Sequence, residues 1–84
     1  MVNIQQIRAA RAWLGLSQEE LADRAGVARR TVIRLENTDE PRSERIMEKL
    51  RTVFEELGIE FLFEGRHGVG LRHHDFNRRS TDPD

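Results

Sequence analysis

Eighty-four residues, 37% apolar and 35% charged, suffice for one modest core and not for two, so a single small domain is expected. There is no cysteine, which excludes disulfide scaffolding and thiolate metal sites. No apolar run approaches the roughly 20 residues of a membrane-spanning helix. The formal net charge is −1, but it is unevenly placed: residues 1–35 carry +3, residues 36–64 carry −5 and residues 65–84 carry +1. Positive charge confined to the first third is the footprint expected where a negatively charged partner is bound.

The opening Met1-Val2-Asn3-Ile4-Gln5-Gln6 has neither the basic region nor the apolar stretch of a signal peptide, so a cytoplasmic location is expected. Asn3 is suited to cap a first helix. Ile4, Ile7, Ala10 and Leu14 recur at helical spacing, and Gly15 supplies a stop. Trp13 lies off this stripe and is expected to be partly buried against the C-terminal part of the same subunit, with an interface as the other reading. In a second helix Ser17 and Glu20 form a capping box, Leu21, Ala22 and Ala25 form the inner stripe, and Gly26 closes it. A third helix begins near Ala28 or Arg29 and runs to about Glu36. Val32 and Leu35 face inward there, leaving Arg29, Arg30, Ile33 and Arg34 outside.

Thr38-Asp39-Glu40-Pro41 reads as a turn, since the residue before proline is pushed away from helical geometry. Ser43 can cap a fourth helix whose wide apolar stripe is Ile46, Met47, Leu50, Val53, Phe54 and Leu57, ended by Gly58. The period then changes to two. Ile59, Phe61 and Phe63 share one face, with Glu60 and Glu64 opposite. Gly65-Arg66-His67-Gly68 has turn chemistry and Val69-Gly70-Leu71-Arg72 can return, which predicts a β-hairpin over 59–72. Residues 73–84 hold one apolar side chain, Phe76, and read as a disordered tail. The expected fold is mostly α: four helices in a helix-turn-helix domain over 1–72, closed by the C-terminal hairpin.

The stretch Ser17-Gln18-Glu19-Glu20-Leu21-Ala22-Asp23-Arg24-Ala25-Gly26-Val27, continuing Ala28-Arg29-Arg30-Thr31-Val32-Ile33-Arg34-Leu35-Glu36, resembles the phage repressor and Cro family, also called the XRE family. The usual wording there is S-Q-x-x-L-A-x-x-x-G-V-S-x-x-T-I-x-x-I-E. The physical demand behind it is that two short helices cross steeply around a tight turn. Small Ala22 and Ala25 let them approach, Gly26 can take the positive φ of the turn, and Val27, Val32 and Leu35 lock the third helix in place. Two departures stand out. Ala28 occupies a cap position where the family commonly has Ser or Thr, and a hairpin follows where many relatives have a fifth helix.

The resemblance implies a four-helix lambda-repressor-like domain that binds double-stranded DNA through the third helix. Arg29, Arg30, Thr31 and Arg34 match the family's base- and phosphate-contacting positions. An arginine there can bond O6 and N7 of guanine together. Gln18 matches the family's phosphate-binding glutamine at a helix N-terminus, where unpaired donors and the helix dipole favour anions. Asn37 and Arg42 follow the third helix and are placed to meet backbone phosphates. Ile33 could pack on a thymine methyl group.

Phe54, Ile59, Phe61, Leu62 and Phe63 are more apolar surface than one helix and one hairpin readily hide, so they are the expected homodimer interface. The strand over 59–64 could pair with its symmetry mate and cover an exposed edge. His67, His73 and His74 near Asp75 lack the fixed spacing of a metal site, so neither metal nor cofactor is expected. With no tyrosine, no Gly-rich phosphate loop and no metal-binding helix pattern, catalysis is not expected either. The leading expectation is a transcriptional regulator, such as a repressor, that binds a palindromic operator as a homodimer. The alternative is an antitoxin or other protein-interaction module that also regulates its own operon, with the hairpin and tail meeting a protein partner.

Overall fold

The computed structural model describes residues 1–37 and 43–74. They form α1 (Ile4–Leu14), α2 (Gln18–Ala25), α3 (Arg29–Asn37) and α4 (Glu44–Glu56), followed by β1 (Ile59–Glu64) and β2 (His67–His73). The expected turn at Thr38–Pro41, Arg42 and the tail beyond His74 lie outside the described residues. No helix among those described is long and apolar enough to cross a membrane.

Three of the four helices, α1, α2 and α4, start where a side chain satisfies an orphan backbone donor. The Asn3 side chain accepts from the Gln6 N–H at 2.8 Å while Gln6 Oε1 accepts from the Asn3 N–H at 3.1 Å, a capping box with glutamine in the acidic partner's place. Ser17 and Glu20 make the same reciprocal pair at 3.0 and 2.8 Å. The Ser17 N–H that donates to the Glu20 carboxylate is the main cause holding that carboxyl below its ordinary range, with the Ser17 hydroxyl second. Ser43 Oγ accepts from the Ile46 N–H at 3.3 Å to open α4.

The core gathers one face from every element. Ile7, Ala10, Leu21, Val32, Leu50 and Phe54 are fully enclosed, and Ile59 and Phe61 join them from β1. Phe54 and Phe61 meet edge to face with ring centroids 6.2 Å apart. The Arg51 guanidinium lies 6.0 Å from the Phe61 ring centroid and 5.4 Å from that of Phe63, covering the apolar rim with its stem and plane. This narrows the side-chain surface expected for a dimer. Phe54, Ile59 and Phe61, at 0%, 2% and 5% exposure, are consumed by the protomer's own core, because α4 lies directly over β1. Leu62 and Phe63 remain half-buried.

β1 and β2 pair antiparallel from Ile59↔His73 to Glu64↔His67. The loop is thus only Gly65-Arg66, and β2 begins at His67 and ends at His73, longer at both ends than the sequence pattern suggests. The reason is a bulge: Leu62 pairs with Gly70 but Phe63 with Gly68, so Val69 is an extra residue that breaks the alternation. Gln6, 4% exposed, fills the break. Its Nε2 donates to the carbonyls of Leu62 and Gly70, both at 3.0 Å, and Asn3 Nδ2 donates to the Gly68 carbonyl at 3.1 Å. A methyl group at Gly68 would overlap the Gln6 amide, so only glycine allows this approach. Trp13 is 55% exposed. Among the described residues its ring meets His73 of β2, with centroids 5.9 Å apart.

Candidate nucleic-acid interface

The turn between α2 and α3 sets the geometry of the site. Gly26 has φ 71°, a conformation costly to any residue with a Cβ. That reversal brings the Val27 N–H back to the Ala22 carbonyl at 3.0 Å. Ala22 is 1% exposed, and its lone methyl lets the two helices approach. Val32 and Leu35 then fasten α3 to the core at 0% and 7% exposure.

Fixing that face decides what the opposite face presents. Arg29, Arg30 and Arg34 are exposed, and Thr31 and Ile33 beside them are half-buried. None of the three guanidinium groups has a hydrogen-bond or ion-pair partner among the described residues. Arg30 and Arg34 stand one helical turn apart, a like-charge spacing that mildly opposes the helix in isolation. Asn37 is exposed at the end of α3, whereas Arg42 falls outside the described residues. At the start of α3 the Thr31 N–H bonds the Ala28 carbonyl at 2.9 Å. Ala28 has no side-chain acceptor for the opening turn, so donors there are left for solvent or an anion.

Behind this face lies a network that the sequence pattern does not reveal. Glu36 is 8% exposed, yet carries a carboxylate. Arg11 grips it with a fork: Nε donates to Oε2 and Nη2 to Oε1, both at 2.8 Å. Arg11 Nη1 also donates to the Leu16 carbonyl at 3.1 Å. Gln18 Nε2 donates to Glu36 Oε1 at 2.9 Å. One cluster therefore ties the end of α1, the start of α2 and the last turn of α3. Gln18 spends one amide proton on Glu36, which orients the rest of its side chain at the N-terminus of α2. The signal in the sequence was Glu36 itself, a charged residue one position after Leu35 on the inward side of the helix.

The histidines sit elsewhere. His67 pairs with Glu64 at the hairpin loop and His73 contacts Trp13. His74 Nε2 lies 2.7 Å from Glu60 Oε1, beside Arg72 Nη1 at 3.2 Å. That contact with His74 is the main cause holding the Glu60 carboxyl below its ordinary range. Among the described residues no group of three or more His, Asp or Glu could hold a metal ion.

Residues 7–54 match the family model described as helix-turn-helix, a span that takes in all of α2 and α3 and most of α1 and α4. A search of curated proteins found no match to the chain.

Proposed function

The chain belongs to the XRE-like helix-turn-helix family of DNA-binding transcription regulators, and from that premise we propose that it acts as a homodimer on a palindromic operator, its two α3 helices lying in successive major grooves. The observation that carries this reading is the set of exposed guanidinium groups of Arg29, Arg30 and Arg34 on one side of α3, without hydrogen-bond or ion-pair partners among the described residues. Two such helices about 34 Å apart meet half-sites one turn apart. Arg30 and Arg34 read base edges, with guanine the preferred partner of a forked donor. Ile33 lies against a thymine methyl. Arg29, Thr31, Asn37 and Arg42 hold phosphates, as do Gln18 and the backbone donors at the start of α2.

Selection from random duplexes at two salt concentrations tests this. A palindrome is enriched, and affinity falls steeply with salt as counterions are released. Arg30→Ala and Arg34→Ala each relax preference at particular base pairs, while Gln18→Ala weakens all duplexes about equally. If every arginine variant behaves like Gln18→Ala, the base-reading assignment fails. A second reading, a protein partner such as a toxin neutralised by the C-terminal part, is favoured by the seam between α1 and β2. Trp13 and Val69 are exposed there at 55% and 54%. Co-expression with the product of a neighbouring gene, giving a complex of fixed stoichiometry that Trp13→Ala dissolves, would support it.

A further inference from the structure

The hairpin's two edges are not equivalent. On the β2 side, α1 closes in: the bulge, two glycines and the Gln6 amide occupy that strand. β1 remains regular, because the extra residue of the bulge, Val69, belongs to β2. Among the described residues the sheet has two strands. In an antiparallel ladder only alternate residues of a strand exchange bonds with a given neighbour. The His74 N–H bonds the Gly58 carbonyl at 2.7 Å, which fixes the even-numbered positions as the bonded ones. The backbone groups of Ile59, Phe61 and Phe63 therefore point away from β2. A regular strand with no proline, lysine or bulge along Ile59–Glu64, charged only at Glu60 and Glu64 on one face, has few of the usual guards of a free edge.

We propose that this edge of β1 pairs with β1 of a second copy of the chain, antiparallel and centred on Phe61. This deepens the two-subunit reading above and rests on it. Three features select the occupant and the register. Core-facing side chains must stay on one side of the joined sheet, which allows only registers that pair odd with odd and even with even residues. Centring on Glu60 sets that carboxylate against its own copy. Centring on Leu62 sets Glu60 against Glu64 of the partner subunit on both sides of the axis. Like charges directly opposite one another are destabilising. Centring on Phe61 instead sets Glu60 against Leu62 of the partner subunit. It also lets Phe61 exchange both backbone bonds with its own mate, while Ile59 bonds Phe63 of the partner subunit. The buried side chains of Ile59 and Phe61 are no obstacle, because the contact uses their backbone.

The chain has no cysteine, so cross-linking of the full chain reads the register directly. Glu60→Cys and Leu62→Cys variants are prepared singly, mixed, and treated with oxidised glutathione. Residues 60 and 62 of opposite subunits form a pair without backbone bonds, whose Cα separation of about 4.5 Å suits a disulfide. The expected result is a covalent dimer from the mixture and little from either variant alone. Linking by Leu62→Cys alone, or by Glu60→Cys alone, overturns the register. A dimer in sedimentation equilibrium with no cross-link in any mixture overturns the β1 contact while sparing the two-subunit reading. A monomer throughout overturns both. Charge gives a second readout: Leu62→Glu places like charges opposite Glu60 twice, and its dimer dissociates about tenfold more readily than that of Leu62→Lys. Equal dissociation of the two variants also overturns the proposal.

Discussion

Glu36 is a carboxylate in a place where carboxylates are rarely found, and its position explains why it is never left single. Its side chain is 4% exposed against 24% for Arg11, so removing it strands a partly buried guanidinium and the Gln18 amide together. Breaking such a pair by removing one partner costs about 3 kcal/mol, more than an exposed pair is worth. Glu36→Ala should lower the urea midpoint accordingly. It should also weaken DNA binding at temperatures where the fold survives, because Gln18 and the last turn of α3 lose a common anchor. Loss of stability with unchanged DNA affinity would separate the network from the interface. The Ser17–Glu20 box makes a different prediction at the same scale. Glu20 is held below its ordinary range, so its contribution is present above the ordinary glutamate range and is lost as pH falls through the lowered value. Stability curves of the native chain and Glu20→Gln should therefore converge on acidification. A gap that stays constant with pH would mean that the box does not act through the Glu20 charge.

Among the elements, those defined by their own sequence neighbourhood were legible and those defined by distant partners were not. Ser17 with Glu20, Ser43, Gly26 and the change of period at Ile59 are local signals, and the helices and β1 begin and end where those signals lie. Gln6 carries a local signal only for its cap with Asn3, not for its contact with the hairpin. A glutamine on an apolar stripe looks like an interruption until the carbonyls of Leu62 and Gly70, more than fifty positions away, are brought beside it. For the same reason the sequence placed the hairpin turn too wide: nothing local marks Val69 as the bulge residue. The exposure of Arg29, Arg30 and Arg34 was legible because the inward stripe of α3, Val32 and Leu35, leaves them on the outside. The inward side chains of Phe54, Ile59 and Phe61 were assigned to a dimer surface because their apolar area could be counted but the cover supplied by α4 could not. The Gln6 contact is testable as a cycle. Gln6→Ala removes a buried donor, and Gly68→Ala displaces the same amide, each destabilising by about 1–3 kcal/mol. Because both act on one contact, the double variant should be well short of the sum. Additive losses would show that the two residues act independently and that the amide is not what joins α1 to the hairpin.

Over the whole molecule, charge and cohesion are divided between opposite ends. The basic face belongs to α3, while α4 and β1 carry Glu44, Glu48, Glu55, Glu56, Glu60 and Glu64. A chain with a formal net charge of −1 can thus approach DNA in one orientation and be repelled in the other. The exposed basic face lies within the first thirty-seven residues, and the hairpin touches α1 and α4 but makes no substantial contact with α3. The hairpin is therefore free to serve association without disturbing the interface. A two-stranded sheet is marginal in isolation, and a core of this size leaves little stability in reserve. If joining β1 edges adds to folding, unfolding is coupled to dissociation, and the melting temperature must depend on protein concentration. A hundredfold rise in concentration is worth about 2.7 kcal/mol per dimer. Spread over the unfolding entropy of two such chains, that raises Tm by about 5–10 °C. The Leu62→Glu variant should show a smaller rise over the same range, since it populates the monomer more at every concentration. Melting curves that superimpose from micromolar to hundreds of micromolar would mean that the subunit folds alone. The two DNA half-sites would then have to bring the subunits together themselves.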